Sequence, residues 1–270
     1  MEYKKNDRVT VTIEDMGSDG EGIGKVNGFT LFIKDAVIGD QVEAKIIKSK
    51  KHYAYARLEK VLQPSPFRVE PKCAYHRQCG GCQLQHLNYE GQLSVKRQQV
   101  KDAIERIGHI TGCEVLPVLG MENPWHYRNK MQFPAAKTEG KIQIGCYAAL
   151  THNVINIDDC LIQKQANNKI MQVVRQWMQQ FNISAYDETT GKGVVRHVMG
   201  RAGAKTGEVM AVIVTACYDI PHAGELVTML KTEVDGLKSI VQNINKKRTN
   251  IIMGAKNRVL YGKSTIKGRL

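Results

Sequence analysis

The sequence predicts an α+β protein in which a small five-stranded β-barrel, residues 1–66, precedes a mixed α/β domain, residues 67–270. Three observations predict this arrangement. The first part carries short strand patterns separated by turn signals, which is typical of a small barrel. The second part mixes strand patterns with helical ones. Between the two parts, Pro64-Ser-Pro66 interrupts regular structure and predicts a domain boundary.

The barrel strands are predicted from the alternation of apolar and polar residues. Residues 8–14 alternate with period two, as a strand with one buried face does. A glycine-rich loop follows, and Asn27-Gly28 is a strong signal for a tight hairpin turn. Beyond that turn, the predicted strands are residues 30–34, 41–50 and 53–63.

Helical and strand patterns alternate in the second part. From Tyr89 to Ile107 apolar residues recur at helical spacing, which predicts an amphipathic helix that packs on a core and ends at Gly108. Its predicted buried stripe is Leu93, Val100, Ile104 and Ile107. The other predicted elements are strands at 126–134, 141–147, 196–199 and 208–217, helices at 163–181 and 221–234, and a hairpin from 251–254 to 259–262.

The chain carries a surplus of positive charge. It has 39 lysines and arginines against 26 acidic residues, which gives a formal net charge of +13. Residues 231–270 hold 10 basic and 2 acidic residues, so they supply +8 of that total. Such a surplus attracts polyanions, and RNA is the polyanion we expect. The alternative is a solvated basic face that binds no partner.

Composition and sequence also indicate the cellular compartment in which we expect this protein. The first residues lack the apolar segment of a secretory signal, and nowhere do 18 uncharged apolar residues run together. With 42% hydrophobic and 24% charged residues, the composition is that of a globular protein. We therefore expect a cytoplasmic protein with no membrane partner. In that reducing compartment the seven cysteines are poor candidates for disulfides.

Four cysteines form a pattern typical of a metal site. Cys73, Cys79 and Cys82 lie close together, with two glycines between the last two, and Cys160 follows far along the chain. Three close cysteines plus a remote one favour an iron-sulfur cluster, with zinc or ordinary buried thiols as alternatives. The remaining cysteines, Cys113, Cys146 and Cys217, are predicted to be packing residues. The histidines His76, His86 and His126 are predicted to be surface or packing residues, since four cysteines complete a site.

Several of these features occur in the order found in one known family. The segment Asp19–Gly24 resembles part of a TRAM domain, an OB-like RNA-binding β-barrel found on RNA-modifying enzymes. The chain as a whole resembles the 23S rRNA uracil-5-methyltransferase family. That resemblance is carried by the barrel segment together with Cys73-x5-Cys79-Gly-Gly-Cys82-Gln83, Tyr127-Arg128-Asn129-Lys130, Cys160 and Gln242-Asn243-Ile244-Asn245.

The resemblance implies a cofactor-bearing central domain. It implies that Cys73, Cys79, Cys82 and Cys160 bind a [4Fe-4S] cluster with a structural role. The cysteine spacing differs from the Cys-x3-Cys-x2-Cys of radical enzymes, which counts against radical chemistry.

The resemblance also implies S-adenosylmethionine-dependent methylation of carbon 5 of uridine in 23S rRNA. In the family, a cysteine thiolate adds to C6 of the ring, C5 attacks the methyl group, and a base removes the C5 proton. The nucleophilic cysteine and the S-adenosylmethionine site lie, in the family, after the position of Leu270. We therefore predict no catalytic residue and no S-adenosylmethionine-binding residue within this chain.

Two segments are candidates for RNA contacts. Tyr127, Arg128, Asn129 and Lys130 offer a stacking ring, a planar guanidinium, an amide and an ammonium group, with which proteins read RNA loops. The alternative is a strand whose tyrosine packs inward. The second segment is Lys246, Lys247 and Arg248. No obligate protein partner is predicted, and the alternative function is a non-catalytic, metal-stapled RNA-binding adaptor.

Overall fold

The computed structural model describes residues 3–269, which form two compact units. The first unit consists of residues 3–76 and Cys82–Asn123, and the second consists of Arg77–Gly81 and residues 124–269. The boundary predicted at Pro64-Ser-Pro66 therefore falls inside the first unit. The chain beyond those prolines continues to pack on the barrel, so the turn chemistry there does not end the unit.

A closed five-stranded barrel with strand order β1-β2-β3-β5-β4 forms the centre of the first unit. The barrel predicted from the sequence is confirmed. Asn27 and Gly28 both have positive φ angles, 51° and 79°, as the tight hairpin between the second and third strands requires. The strands are β1 (Arg8–Met16), β2 (Gly22–Val26), β3 (Phe29–Lys34), β4 (Gln41–Ser49) and β5 (Tyr53–Gln63).

Alternation along these strands builds the barrel core. Val9, Val11 and Ile13 of β1 point inward, while the residues between them are exposed. Leu31 and Ile33 of β3 are wholly buried in the same cluster. The period-two pattern of the sequence therefore decides which face of each strand is buried.

A buried ion pair ties the chain after β5 to the barrel. Asp40 is wholly buried, and the Arg68 guanidinium donates to its carboxylate at 2.5 Å. The same carboxylate accepts the backbone N–H groups of Val37 (2.8 Å) and Ser65 (2.9 Å). These bonds hold residues 65–68 against the barrel, which explains why the first unit extends past the two prolines.

The helix α1 (Tyr89–Asp102) also belongs to the first unit. Asn88 caps it by accepting the Gly91 N–H at 2.8 Å. A π-helical turn at Ala103–Ile107 continues it, and Gly108 ends it as predicted.

The predicted buried stripe of α1 is only partly correct, because Leu93 and Ile104 are half-buried and the other two residues are exposed. Val100 and Ile107 are 49% and 78% exposed. Its buried residues are Gly91 and Val95, and Val95 packs with Leu87 in a cluster that includes residues of the barrel. The buried contact is confined to the first half of the helix, so the apolar residues of its second half are left uncovered.

The second unit contains a seven-stranded sheet with strand order β12-β11-β10-β9-β6-β7-β8. β10 and β11 are parallel, and the other neighbouring pairs are antiparallel. The strands are β6 (Lys130–Thr138), β7 (Lys141–Tyr147), β8 (Val154–Asn156), β9 (Val195–Ala202), β10 (Val209–Thr215), β11 (Leu237–Ile244) and β12 (Lys256–Gly262).

Two helices pack in this unit, α2 (Gln165–Gln180) and α3 (Ala223–Glu233). Trp177 of α2 is wholly buried, and its indole N–H donates to the His222 carbonyl at 2.9 Å. Gly200 of β9 lets α2 approach closely, because a Cβ at that position would lie 2.4 Å from the Asn167 side-chain oxygen. None of the helices described between residues 3 and 269 is both long and apolar enough to cross a membrane.

The C-terminal elements differ from the prediction. β11 was not predicted, and residues 251–254 form a loop rather than the first strand of a hairpin. β12 pairs with β11 instead. The reason is the side chain of Asn245, which donates to the carbonyls of Ile251 (2.6 Å) and Ile252 (3.1 Å) and so holds those carbonyls away from a ladder.

Candidate functional site

The four predicted metal ligands are divided between the units. Cys73 and Cys82 lie in the first unit, and Cys79 and Cys160 lie in the second. All four side chains are partly buried. The four-thiolate site remains a prediction.

Cys79 lies beside a second thiol. The Cys146 side chain forms a hydrogen bond with Cys79, and this bond is the main cause that lowers the pKa of Cys79 to about 6. The Gly81 N–H, 3.3 Å from the Cys79 sulfur, and the Arg128 charge lower the pKa further, against the opposing effect of burial. Cys146, predicted to be a packing residue, is partly buried, and its thiol also contacts a predicted ligand. No local motif around Cys146 signals this contact.

Cys160 lies in a turn held by the helix that follows. Its N–H donates to the Asn168 side-chain oxygen at 3.1 Å, and the Asn168 amide donates back to the Cys160 carbonyl at 3.2 Å. Asn168 is buried in α2. The backbone on both sides of the Cys160 side chain is therefore fixed by one buried amide.

A groove crosses the second unit. Two adjoining clefts of about 560 and 620 Å³ share Pro134, Tyr147, His152 and His197 as lining residues. One cleft reaches the loop of Gly80, Gly81 and Cys146, and the other reaches Tyr186, Thr189 and Arg196. The groove therefore runs from the surroundings of Cys79 to a buried arginine.

Arg196 holds the basic segment in place. It is buried, and its guanidinium lies 4.4 Å from the centre of the Tyr186 ring. The same guanidinium donates to three carbonyls at alternate positions of one loop, those of Asn245 (3.1 Å), Lys247 (2.6 Å) and Thr249 (3.2 Å). Arg248 donates to the Thr189 carbonyl at 2.6 Å, at the edge of the groove. Sequence reasoning missed Arg196, because an arginine in a strand pattern gives no sign that it is buried.

The Gln242–Asn245 segment has a structural part in this arrangement. The Gln242 amide donates to the carbonyls of Cys217 (3.0 Å) and Tyr218 (2.8 Å). Asn243 is buried and accepts the Gly254 N–H at 2.7 Å. Amides on β11 thus fix the loop after β10 and the loop that carries the basic segment, in which Lys246, Lys247 and Arg248 are all exposed.

The second candidate RNA segment is also exposed. Tyr127 is 46% exposed, so the alternative of an inward-packing ring is wrong. Arg128 is anchored through its backbone, which donates to the Ile162 carbonyl at 2.8 Å and accepts the Lys164 N–H at 3.1 Å. Lys130 pairs with Arg201 across β6 and β9. The side chains of Tyr127, Arg128, Asn129 and Lys130 all reach solvent.

His197 gives the second unit a pH-dependent stability. Burial, and then the Arg196 charge, lower the pKa of His197 to about 4, and Glu188 opposes this. The unfolded pKa is about 6.5, so this contribution to stability is complete above pH 6.5 and is lost as pH falls towards 4.

We expect the slope of unfolding free energy against pH in that window to fall by up to about 1.4 kcal/mol per pH unit in His197→Gln. Urea unfolding between pH 4 and 7 measures it. His152→Gln, at an exposed position, serves as the control, and equal slopes in wild type and His197→Gln contradict the prediction.

Comparison with known proteins finds a matching domain family and similar proteins. A model of the TRAM domain matches residues 3–58. A Clostridium tetani protein described as an RNA methyltransferase is 47% identical over 263 residues, and a Bacillus cereus protein described in the same way is 46% identical. The matches cover 97% of this chain and 57% of those relatives. The chain thus spans little more than half their length, so the activity of the whole protein is a proposal here.

One solved structure shares the fold. The tRNA (uracil-54, C5)-methyltransferase of Pyrococcus abyssi, in complex with S-adenosyl-L-homocysteine, aligns with 97% of this chain and 57% of its own chain. The TM-score is 0.73 and the sequence identity is 22%. A barrel followed by a mixed α/β unit is therefore an arrangement found in an RNA-modifying enzyme.

Proposed function

We propose that this protein is an S-adenosylmethionine-dependent methyltransferase that acts on carbon 5 of uridine in 23S rRNA, with residues 3–269 recognising the RNA and holding a structural [4Fe-4S] cluster. The observation that carries this proposal is the similarity to RNA methyltransferases along 97% of the chain. The shared fold with a uracil-C5 enzyme supports the position of the methylated atom. The choice of 23S rRNA and a cytoplasmic location are inferred from the sequence.

The barrel supplies a stacking surface for unpaired bases. Phe32, Tyr53 and Tyr55 form a ring cluster with centroids 5.6–5.7 Å apart. Tyr55 is 41% exposed, so part of its ring is open to a base. Proteins that bind single-stranded nucleic acid use such aromatic surfaces, each stacked base being worth about 1–3 kcal/mol. This cluster lies within the residues that match the TRAM domain.

The second unit supplies charge. Lys246, Lys247 and Arg248 are exposed beside the groove, and the exposed Tyr127–Lys130 segment adds a ring and two cations. Basic side chains neutralise phosphates, and a planar guanidinium or an aromatic ring reads an unpaired base. These groups suit a folded RNA with exposed loops better than a small anionic substrate.

The surroundings of Cys79 fit an iron-sulfur cluster. A cluster needs thiolates, and the hydrogen bond from Cys146 lowers the pKa of Cys79 and so favours its thiolate form. The Gly81 N–H that points at the Cys79 sulfur is the type of bond that tunes cluster sulfurs. Cys73, Cys79, Cys82 and Cys160 would hold the cluster, which stabilises the fold by joining distant segments of the chain.

No catalytic role is assigned to a residue of this chain. The reaction needs an accessible thiolate. Burial, with a smaller effect of Asp219, raises the pKa of Cys217, which makes its thiol a poor nucleophile. Cys146 is engaged with Cys79, so its thiol is not available for attack on a base.

Cys160→Ser is expected to remove the cluster. Serine lacks the thiolate, so the protein should lose about four irons and four sulfides per chain and its brown colour. Loss of the cluster should also lower the melting temperature. Iron and sulfide assays on protein purified without oxygen measure this, with Cys113→Ser, at an exposed position, as the control. An unchanged visible spectrum and melting temperature in Cys160→Ser contradict the ligand role.

Arg128→Ala is expected to weaken RNA binding selectively. The guanidinium is exposed on an anchored backbone, so its loss should cost about 1–3 kcal/mol, or roughly 5- to 150-fold, for a structured substrate hairpin. Binding to an unrelated single strand should change far less. Filter binding with both RNAs measures the difference. Lys141→Ala removes an exposed charge at the other end of the β6–β7 hairpin and is the control. Equal losses of affinity for both RNAs would mean that Arg128 only contacts phosphate and does not recognise the structured hairpin.

A methyl-transfer assay tests the function itself. The full-length protein is incubated with S-adenosylmethionine labelled in its methyl group and with unmodified 23S rRNA or tRNA. We expect label in 5-methyluridine of the 23S rRNA. Label found in tRNA instead would make tRNA the substrate. RNA binding without any methyl transfer would favour the RNA-binding adaptor.

A further inference from the structure

Three metal-binding side chains meet within the first unit. Asp35, His76 and His86 bring a carboxylate oxygen and two imidazole nitrogens within 4.8 Å of one another. Asp35 directly follows β3, while the histidines lie in the segment that carries Cys73 and Cys82. The group therefore joins the barrel to the cysteine segment of the same unit.

His86 has no hydrogen bond that explains its burial. The residue is 3% exposed, and neither ring nitrogen makes a hydrogen bond. The Ala36 carbonyl lies close enough to favour the protonated ring slightly, but burial dominates and lowers the pKa of His86 to about 4. The ring is therefore neutral at physiological pH. A buried polar group without a partner costs about 1–3 kcal/mol, so its presence calls for a ligand that completes it.

The charges around His86 are mixed, and the Asp35 carboxylate is the group that favours a cation there. Asp35 favours positive charge at the ring, whereas His76 and Arg68 oppose it. Arg68 is itself paired with the buried carboxylate of Asp40 at 2.5 Å, so much of its charge is already balanced. The ring centres of His76 and His86 are 5.5 Å apart, which leaves both rings close enough to face one ion.

We propose that Asp35, His76 and His86 bind one divalent transition metal ion, with zinc as the favoured ion. Two imidazoles and a carboxylate form a ligand set that zinc commonly takes, and water completes the tetrahedron. The ion fixes the cysteine segment to the barrel from within the first unit. It is chemically separate from the proposed cluster, which uses thiolates, and it does not depend on the proposed methyl transfer.

Zinc binding by Asp35→Asn tests this site. Asp35 has a φ of 65°, a conformation that asparagine adopts readily, so the variant keeps the backbone and removes the charge. The full-length protein is purified without oxygen, loaded with Zn²⁺, passed through gel filtration and assayed for zinc and iron. We expect about one zinc per chain in wild type and at least roughly tenfold weaker zinc binding in Asp35→Asn. His86→Ala should lose the zinc, and Asp19→Asn, at an exposed barrel carboxylate, should keep it.

Cobalt separates this site from the cysteines. Co²⁺ at nitrogen and oxygen ligands shows no thiolate charge-transfer band, whereas Co²⁺ on cysteines does. We expect wild type, with its cluster in place, to bind Co²⁺ without such a band, and Asp35→Asn to lose that bound Co²⁺. The proposal is overturned if wild type retains no zinc, if Asp35→Asn binds zinc as tightly as wild type, or if the metal is lost in Cys160→Ser. Iron content and methyl transfer are read separately, so a failure here leaves them unchanged.

Discussion

Replacing Asp40 with alanine is expected to lower the free energy of unfolding of the barrel unit by about 3–5 kcal/mol. Asp40 is wholly buried, and its carboxylate is the shared acceptor for the Arg68 guanidinium and for the N–H groups of Val37 and Ser65. Alanine leaves the buried N–H groups of Val37 and Ser65 without this acceptor, and the Arg68 guanidinium keeps only the Asp35 carbonyl, at 2.8 Å. Removal of one partner of a buried pair costs far more than the pair contributes in net terms.

A second variant separates the ion pair from the backbone bonds. In Arg68→Met the carboxylate keeps the two backbone donors, so we expect a smaller loss than in Asp40→Ala. The double variant should recover part of the loss of Asp40→Ala, because the guanidinium is no longer stranded. Urea unfolding followed by fluorescence measures all three. Asp19→Ala, at an exposed position of the same barrel, should change the free energy by no more than about 0.5 kcal/mol. A loss below about 1 kcal/mol for Asp40→Ala contradicts this account.

Reversing the charges of Lys246, Lys247 and Arg248 to glutamate is expected to weaken RNA binding by roughly 10- to 100-fold at moderate salt. These side chains are exposed in a loop that Arg196 fixes through three carbonyls. A fixed loop presents its charges without a further ordering cost. Each lost phosphate contact should reduce the slope of log affinity against log salt by about one.

The chain offers a matched control for this change. Lys205, Lys238 and Lys267 are exposed at the opposite end of β11, and their reversal alters the net charge equally. Since Arg248 also donates to the Thr189 carbonyl, the double variant Lys246→Glu/Lys247→Glu isolates charge from the loss of that bond. Fluorescence anisotropy at several salt concentrations measures affinity and slope. The basic segment has no special role if both triple variants lose equal affinity.

The sequence predicted the barrel well because its information is local. Period-two alternation and the Asn27-Gly28 turn each decide structure within a few residues, and four of the barrel strands lie close to where they indicated. The exception is β2 (Gly22–Val26), which includes residues predicted as a glycine-rich loop. The helix at Tyr89 was also correct in extent, but its buried face was only partly correct. Which face is buried depends on where the barrel surface ends, and helical spacing carries no information about that.

Features that depend on distant contacts were missed for the same reason. β11 carries Gln242 and Asn243 inside a buried sheet, where the Gln242 NH2 group donates to the Cys217 carbonyl and Asn243 accepts the Gly254 N–H. Arg196 and Cys146 look ordinary in the sequence, and their roles arise from the Lys247 carbonyl and the Cys79 thiol. His86 was predicted to be a surface or packing residue. Only the folded structure reveals that its ring is buried without a hydrogen bond.

The most direct test of the proposed function is the nucleoside content of ribosomal RNA from cells in which the gene for this protein is disrupted. We predict that 23S rRNA loses 5-methyluridine at one or more positions, while the 5-methyluridine of tRNA is unchanged. Reintroducing the intact gene should restore the modification. Unchanged 5-methyluridine in both RNAs would contradict the account, and a loss confined to tRNA would contradict its choice of substrate.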